Sequence, residues 1–264
     1  MPPPLDTDRL LRGTLVARIE HHPVLGSTND RAKQCATARS GPLPLLIVAD
    51  EQTAGRGRGS NRWWTGKGGL ACSLLMDLRP LEIGRAQGPL VALAAGLAVV
   101  QTVAPLLPDQ TVGIHWPNDV LAARRKLAGI LVEVVPGNLH VIGIGLNVNN
   151  TIRAAPEDIR ETAATLRDLT GRVYDPTAIL LDLLGHLERV LQRLATAPAE
   201  ISAEADRLCL QRGHALTLQQ GRRTVSGRCL GSAPDGALIL ETPQGKRSFY
   251  SGVVGKGLGM GESG

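Results

Sequence analysis

The sequence predicts an α+β chain: a large domain of strands and helices to about residue 210, then a small β-barrel. Three observations carry that reading. Apolar segments at helical spacing are interleaved with short buried runs over the first 210 residues. After Gly213 the texture changes to short alternating runs separated by Gly, Asp-Gly and Gln-Gly turns. At 264 residues the chain is long enough for one large core and one small one.

In order, residues 1–20 read as a tail or a short docking helix. Ser27 opens a helix to about Arg39, with Asp30 placed as in a loose capping box and Gly41-Pro42 as its stop. Residues 45–49 form a short buried strand and residues 70–78 another. Residues 84–104 read as a long apolar helix for the middle of the core. Residues 111–116, 126–135 and 139–146 read as strands joined by tight turns, with Pro117-Asn118-Asp119 and Pro136-Gly137-Asn138 as the turn chemistry. Asp175-Pro176 starts a helix in which Leu180, Leu184, Leu187, Leu191 and Leu194 recur at helical spacing. A further helix covers 199–210, and the domain boundary falls near Gln211. The expected division is thus a tail to residue 20, a large domain over 21–210, a barrel over 211–258 and a tail over 259–264. Barrel strands are expected at 215–218, 224–230, 237–241 and 247–250.

Composition narrows the class. Cys35, Cys72, Cys209 and Cys229 form no CxxC, and the histidines lack metal-ligand spacing, so neither a zinc site nor a disulfide framework is indicated. The N-terminus carries acids and has no apolar signal core. The longest apolar stretch, 89–103, is too broken by Gln101 and small residues for a membrane span. A reducing cytoplasm is the expected compartment. The net charge of +5 is partly local, since Arg56, Arg58, Arg62 and Lys67 lie in one loop.

That loop, GRGRGSNRWWTGKGG over residues 55–69, is the most informative segment. Glycines let the backbone approach a ligand closely, arginines match phosphate and carboxylate geometry, and an indole offers a stacking face. The chain has only three tryptophans, and all sit in two polar, turn-rich segments: Trp63 and Trp64 here, and Trp116 in HWPND. The combination points to an anion-binding loop with an aromatic clamp; a solvated basic loop or an RG-type nucleic-acid contact is the plain alternative. Common nucleotide and hydrolase motifs are excluded. A Walker loop fails because Asn61 and Gly68 occupy required Gly and Ser/Thr positions. GIGLNVN fails as a dinucleotide fingerprint because Val148 stands at its third glycine. No GxSxG elbow is present.

Further along, Lys126-Leu127-Ala128-Gly129 opens a strand, where the lysine alone reads as an exposed end. Gly129 in the strand interior marks close approach of another backbone or a ligand. Singly, Ser27-Thr28-Asn29 reads as a helix cap, Gln52 as a strand end and Asn147 as a turn residue. Taken together, STN, EQTAGRGR, WPND, KLAGIL and GIGLNVN occur in an order and at intervals that resemble the biotin protein ligases, the biotin–[acetyl-CoA-carboxylase] ligases. The resemblance runs from Ser27 to Asn149, and the β-rich C-terminal segment fits it too.

The resemblance implies a catalytic domain like those of class II aminoacyl-tRNA synthetases, with a mixed β-sheet flanked by helices, followed by an SH3-like β-barrel. It also implies a two-step reaction. Biotin carboxylate attacks the α-phosphate of Mg²⁺·ATP, and the biotinyl group of biotinyl-5′-AMP then passes to a lysine of a biotin carboxyl carrier domain. Carried over position by position, Ser27, Thr28, Asn29 and Gln52 would hold biotin, with Gly55, Arg56 and Gly129 closing around it. Arg58, Arg62, Trp63, Asn118 and Asn147 would contact the nucleotide, Trp63 by stacking on the base. Lys126, aided by Arg58, would neutralise charge between carboxylate and α-phosphate, and would also touch biotin. Asn118 and Asp119 are the Mg²⁺-side groups, acting through water. Against the family pattern GRGRxGRxW, Ser60 and Asn61 replace a glycine and an arginine. Thr65-Gly66 replaces Ser-Pro, and His115 stands where a lysine usually precedes WPND.

Only 26 residues precede Ser27, too few for the winged-helix repressor module of some members. A monofunctional ligase is therefore expected, monomer or homodimer, with no specific DNA and no membrane partner. The rivals are a lipoate or octanoate ligase on the same fold and, from another class, a non-enzymatic nucleic-acid-binding protein. The second gives no reason for Gln52, Lys126 and Asn147 at these intervals.

Overall fold

Asp6 caps α1 (Thr7–Gly13) by accepting from the Arg9 amide, and the helix docks through the fully buried Leu10. The Asp6 amide donates to Thr177 Oγ1 (2.9 Å) and Arg9 pairs with Asp175 (3.2 Å), which ties the N-terminus to a helix much later in the chain. Then come β1 (Arg18–Leu25), α2 (Thr28–Ala38) and β2 (Leu45–Gln52), a parallel strand pair joined by a crossover helix. The chain turns back antiparallel in β3 (Leu70–Asp77) and makes two short 3₁₀ turns before α3 (Gly88–Val103). An antiparallel meander follows: β4 (Val112–His115), β5 (Asp119–Ala122), β6 (Arg125–Val135) and β7 (Leu139–Leu146). The sheet order β1-β2-β3-β7-β6-β5-β4 makes it mixed.

The computed structural model of the chain describes residues 2–255, so the expected tail over 259–264 lies outside the described residues. After β7 come α4 (Glu157–Arg160), α5 (Leu166–Thr170), α6 (Pro176–Thr196) and α7 (Pro198–Arg207). A five-stranded antiparallel sheet closes the described chain: β8 (Ala215–Gln220), β9 (Arg223–Ser232), β10 (Leu238–Thr242), β11 (Gly245–Phe249) and β12 (Val253–Gly255). Its order, β11-β10-β9-β8-β12, places the last strand beside the first, as in SH3-like folds.

Both faces of the main sheet are covered, and the pleat shows how. In β2, Leu46 and Val48 join the larger core with α3 and α6, whereas Leu45 and Ile47 face Ala32, Cys35 and Ala36 of α2. A strand buried on both sides needs a continuous apolar run, which is what 45–49 supplies. Arg85–Leu106 is long and apolar enough to cross a membrane, but 67% of that window is buried inside the fold against neighbouring helices and strands. The larger core continues into the C-terminal sheet through Leu216, Leu218, Leu238 and Phe249.

The structure differs from the sequence reading in several places. Residues 18–25 form β1, hidden because this edge strand reads Arg-Ile-Glu-His-His-Pro and is nowhere fully buried. β5 was subsumed in a turn: the hairpin to β6 turns on Ala123 (φ 50°) and Arg124 (φ 60°), without the Asn or Gly that normally marks such a turn. The α-helical part of the apolar segment starts at Gly88 rather than 84, after a 3₁₀ turn over Arg85–Gln87. The last helix begins at Pro198 and stops at Arg207, short of the expected 210. Short helices α4 and α5 span only four and five residues, too few to show a helical period, although Leu166 and Leu169 of α5 pack on the core.

Candidate active site

A cleft of about 410 Å³ opens over the middle of the main sheet. Its floor is β6 and β7, one wall is the loop between β2 and β3, the other is the His115–Asp119 turn with Lys126, and its rim includes Gln220 of β8 and Gly252 from the β11–β12 connection. Ser27, Thr28, Asn29, Gln52, Arg56, Arg58, Arg62, Trp63, Asn118, Asp119, Lys126 and Gly129 all line it. Gly55 and Asn147 do not. Gly55 braces the loop from behind, its carbonyl accepting from the Trp63 amide (3.0 Å). Asn147 is buried below the floor, its Oδ1 accepting from Asn150 (3.0 Å) and its carbonyl from Leu166 (3.1 Å).

The polar end of the cleft is preorganised. Ser27 caps α2, so the backbone presents Thr28 and Asn29 at the helix start. Gln52 Oε1 accepts from the Thr28 amide (2.8 Å) and hydroxyl (3.2 Å), while its Nε2 donates to Thr65 Oγ1 (3.1 Å). Beneath them the fully buried Ser73 hydroxyl lies 2.7 Å from Thr28 Oγ1 and 2.6 Å from Asn29 Oδ1. Asn29 Nδ2 donates to Leu131 O (3.2 Å) and Glu133 (2.9 Å). Arg56 in turn bonds Asp30 (2.9 Å) and Glu133 (3.0 Å), and Lys33 pairs with the same two carboxylates. Burial pushes the Glu133 carboxyl up, but Asn29, Lys33 and Arg56 outweigh it and hold the group below its ordinary value.

The other end holds the aromatic and the lysine. Gly129 and Gly145 are register partners on β6 and β7, and the Trp63 indole lies across both. A Cβ on Gly129 would stand 3.1 Å from Trp63 Cζ3, and one on Gly145 would overlap the ring. Lys126 Nζ is 5.7 Å from the indole centroid and 2.8 Å from Asp119 Oδ1. That contact is an ion pair without hydrogen-bond alignment, so Asp119 Oδ1 stays a buried acceptor with no hydrogen-bond partner among the described residues. Arg58 reaches across the cleft to the Gly252 carbonyl (3.1 Å), and burial lowers its pKa against the pull of Asp119. Burial likewise holds His115 below its ordinary value, with Asp119 opposing and Lys126 assisting. The thiol lining the cleft, Cys72, is pushed up to about 12 by burial and is no nucleophile at neutral pH.

Sequence reasoning missed Ser73, Glu133, Gly143 and Gly145. Two glycines two apart in a buried strand share one face, and each makes room for a functional side chain, Asn29 over Gly143 and Trp63 over Gly145. That spacing was a readable signal. A lone serine in Leu-Ala-Cys-Ser-Leu-Leu-Met was a weaker one.

A polar pocket at one end of the cleft and a cation beside an indole at the other give it the means to hold an acid and an anion side by side. Residues 22–149 match the model of the biotin/lipoate A/B protein ligase family. The chain is 37% identical over 212 residues to the biotin–[acetyl-CoA-carboxylase] ligase of Mycobacterium tuberculosis, covering 76% of each. It is 34% identical over 242 residues to the bifunctional ligase/repressor BirA of Bacillus subtilis, covering 89% of this chain and 72% of that one. The biotin protein ligase from Aquifex aeolicus in complex with biotin and ATP superposes with a TM-score of 0.77 at 27% identity, over 90% of this chain and 98% of that one. The chain belongs to this family, and within it to the biotin protein ligases.

Proposed function

We infer that the chain is an ATP-dependent biotin protein ligase that forms biotinyl-5′-AMP and transfers the biotinyl group to a lysine of a carboxylase carrier domain. The observation that carries this reading is the continuity of one cleft from the Thr28–Asn29–Gln52 pocket to Lys126 and Trp63. An acid held at the first end presents its carboxylate toward the second, where a nucleotide base has an aromatic face and the developing charge has a cation.

In this reading Thr28, Asn29 and Gln52 orient biotin, Ser73 and Glu133 keep them in place, and Arg56 holds the loop over it. Their hydrogen bonds are made before substrate enters, so little reorganisation remains at the moment of reaction. Trp63 stacks on the base and Arg62 contacts the nucleotide. Lys126 stabilises charge shared by the carboxylate and the α-phosphate, an interaction stronger in the transition state than before it. Arg58 pins the closed loop to the C-terminal sheet. Positioning and charge supply the catalysis, which agrees with the inert Cys72.

Among the described residues no group of three or more His, Cys, Asp or Glu forms a metal cage. The donors present suit Mg²⁺ carried in with ATP, which keeps several waters. The Asp119 carboxylate, paired on one oxygen with Lys126, and the Asn118 amide oxygen would meet those waters. When bound, the ion would offset phosphate charge.

Similarity to relatives and a solved structure named for biotin supports biotin over lipoate as the acid. The test is intact-mass measurement of a biotin carboxyl carrier domain after incubation with this protein, ATP and biotin. A gain of one biotinyl group is expected. Pyrophosphate exchange with lipoate and not with biotin would overturn the reading in favour of the rival ligase.

A further inference from the structure

Gln211 lies in the segment that joins α7 to β8 and is 2% exposed. Its side-chain amide spans the backbone of one residue, Trp116. The Trp116 amide donates to Gln211 Oε1 (2.9 Å), and Gln211 Nε2 donates to the Trp116 carbonyl (3.0 Å). The clamp continues a short parallel pairing, in which Ile114 N–H donates to Leu208 O (2.8 Å) and Leu210 N–H to Ile114 O (2.9 Å). Residues 208–211 thus finish the edge of β4 as an added strand would, with a side chain taking over where the backbone diverges. Trp116 is also held from the other side, its Nε1–H donating to the Gly236 carbonyl (3.1 Å) between β9 and β10.

What Trp116 leads into is the wall of the cleft. Asn118 is fixed next, its Nδ2 donating to Ile130 O (2.8 Å) and its carbonyl accepting from the Ile130 amide (2.8 Å). Asp119 follows and pairs with Lys126. A buried backbone donor and acceptor left unmet at Trp116 would be costly, so the turn keeps its place only while the clamp holds.

We propose that Gln211 is a positioning residue for the nucleotide half of the site. By fixing the Trp116 backbone it sets the angle of Asn118 and Asp119, and through Asp119 the Lys126 ammonium. Packing of the C-terminal sheet is thereby coupled to the adenylating chemistry, with no contact between Gln211 and substrate. The proposal rests on the ligase function inferred above.

The experiment compares wild type with Gln211→Met, which keeps the volume and removes both bonds to Trp116 along with the longer contact from the Cys209 thiol (3.5 Å). Biotin-dependent ATP–pyrophosphate exchange, biotin affinity without nucleotide and thermal unfolding are measured on each. The expected result is a KM for ATP raised roughly tenfold or more, with a lowered kcat and biotin affinity within about twofold of wild type. A folded variant with unchanged exchange kinetics overturns the proposal, as does an equal loss at both ends of the cleft, which a purely structural role would produce. If Gln211→Met does not fold, Gln211→Asn, which keeps the amide but is one methylene too short to reach both Trp116 backbone groups, carries the same expectation and the same refutation. Absence of exchange in wild type would instead refute the function, so the two failures are told apart.

Discussion

Trp63 lies across Gly145 so closely that a methyl group at residue 145 would overlap the indole. The glycine is therefore a seat for the aromatic, and in the proposed function the pair would set where a nucleotide base stacks. Gly145→Ala should push Trp63 out of the groove, lowering pyrophosphate exchange roughly tenfold or more while biotin affinity changes less. Tryptophan emission should shift in the unliganded variant. Wild-type exchange with an unchanged spectrum would mean that Trp63 has no fixed seat.

Lys126 stands between that indole and Asp119. Lys126→Ala should slow adenylate formation by on the order of 10²-fold or more, because the lost interaction strengthens as charge develops. Biotin binding should weaken far less. Rapid-quench measurement of biotinyl-5′-AMP separates the two, and near-normal adenylation would return Lys126 to the plain role of an exposed strand end.

Much of this site was legible because several short motifs occur together in one order along the chain. Arg56 and Trp63 stand out in the glycine-arginine loop, Gln52 and Lys126 only through the ordered motif set, and the cleft brings all four together. What stayed hidden depends on register. Glu133 looks like one charge in a strand until the fold sets it beside Asn29 and Arg56. Gln211 looks like linker until residues 208–211 pair with β4. The β5–β6 hairpin was invisible for a local reason, since Ala123 and Arg124 adopt a left-handed conformation that neither type signals. Edge strand β1 lacked the apolar run that its doubly buried neighbour β2 displays.

His140 in β7 is fully buried, and neither ring nitrogen has a hydrogen-bond partner among the described residues. Burial holds it below its ordinary value of 6.5, outweighing Asp77 and the nearby Asn138 backbone, which favour the proton. His115 and His186 are lowered by burial as well. The unfolded chain therefore takes up these protons first as pH falls. Stability from the neutral rings is full above 6.5 and is lost as pH drops through the lower folded-state values. His140→Leu removes an unmet polar ring and should stabilise the fold by roughly 1 kcal/mol at neutral pH. It should also flatten the acid-side slope of stability. Denaturant unfolding across that range checks both, and a less stable variant with the same slope would show that the ring is better accommodated than its missing partners imply.

The glycine-arginine loop is anchored at one end by charge. Arg56 meets Asp30 and Glu133, and Glu133 also holds Asn29 and Lys33, so one carboxylate links the loop to the start of α2. Beyond Arg56 the loop folds on itself, with Gly57 N–H donating to Asn61 O (2.8 Å) and Trp63 N–H to Gly55 O (3.0 Å). Arg58 adds one bond to the Gly252 carbonyl (3.1 Å); ordering a backbone residue costs about 1–2 kcal/mol, so the loop is expected to depend on its anchor and on ligand. Glu133→Gln removes the charge that Arg56 and Lys33 share while keeping the shape. Trypsin should then cut faster after Arg56, Arg58, Arg62 and Lys67, and biotin affinity should fall roughly tenfold. In wild type, biotin with ATP should slow the same cuts, since a ligand touching several loop groups offsets their ordering entropy. Equal cleavage of wild type and variant, with and without ligands, would show that the anchor does not govern the loop and that the clamp is not ligand-ordered.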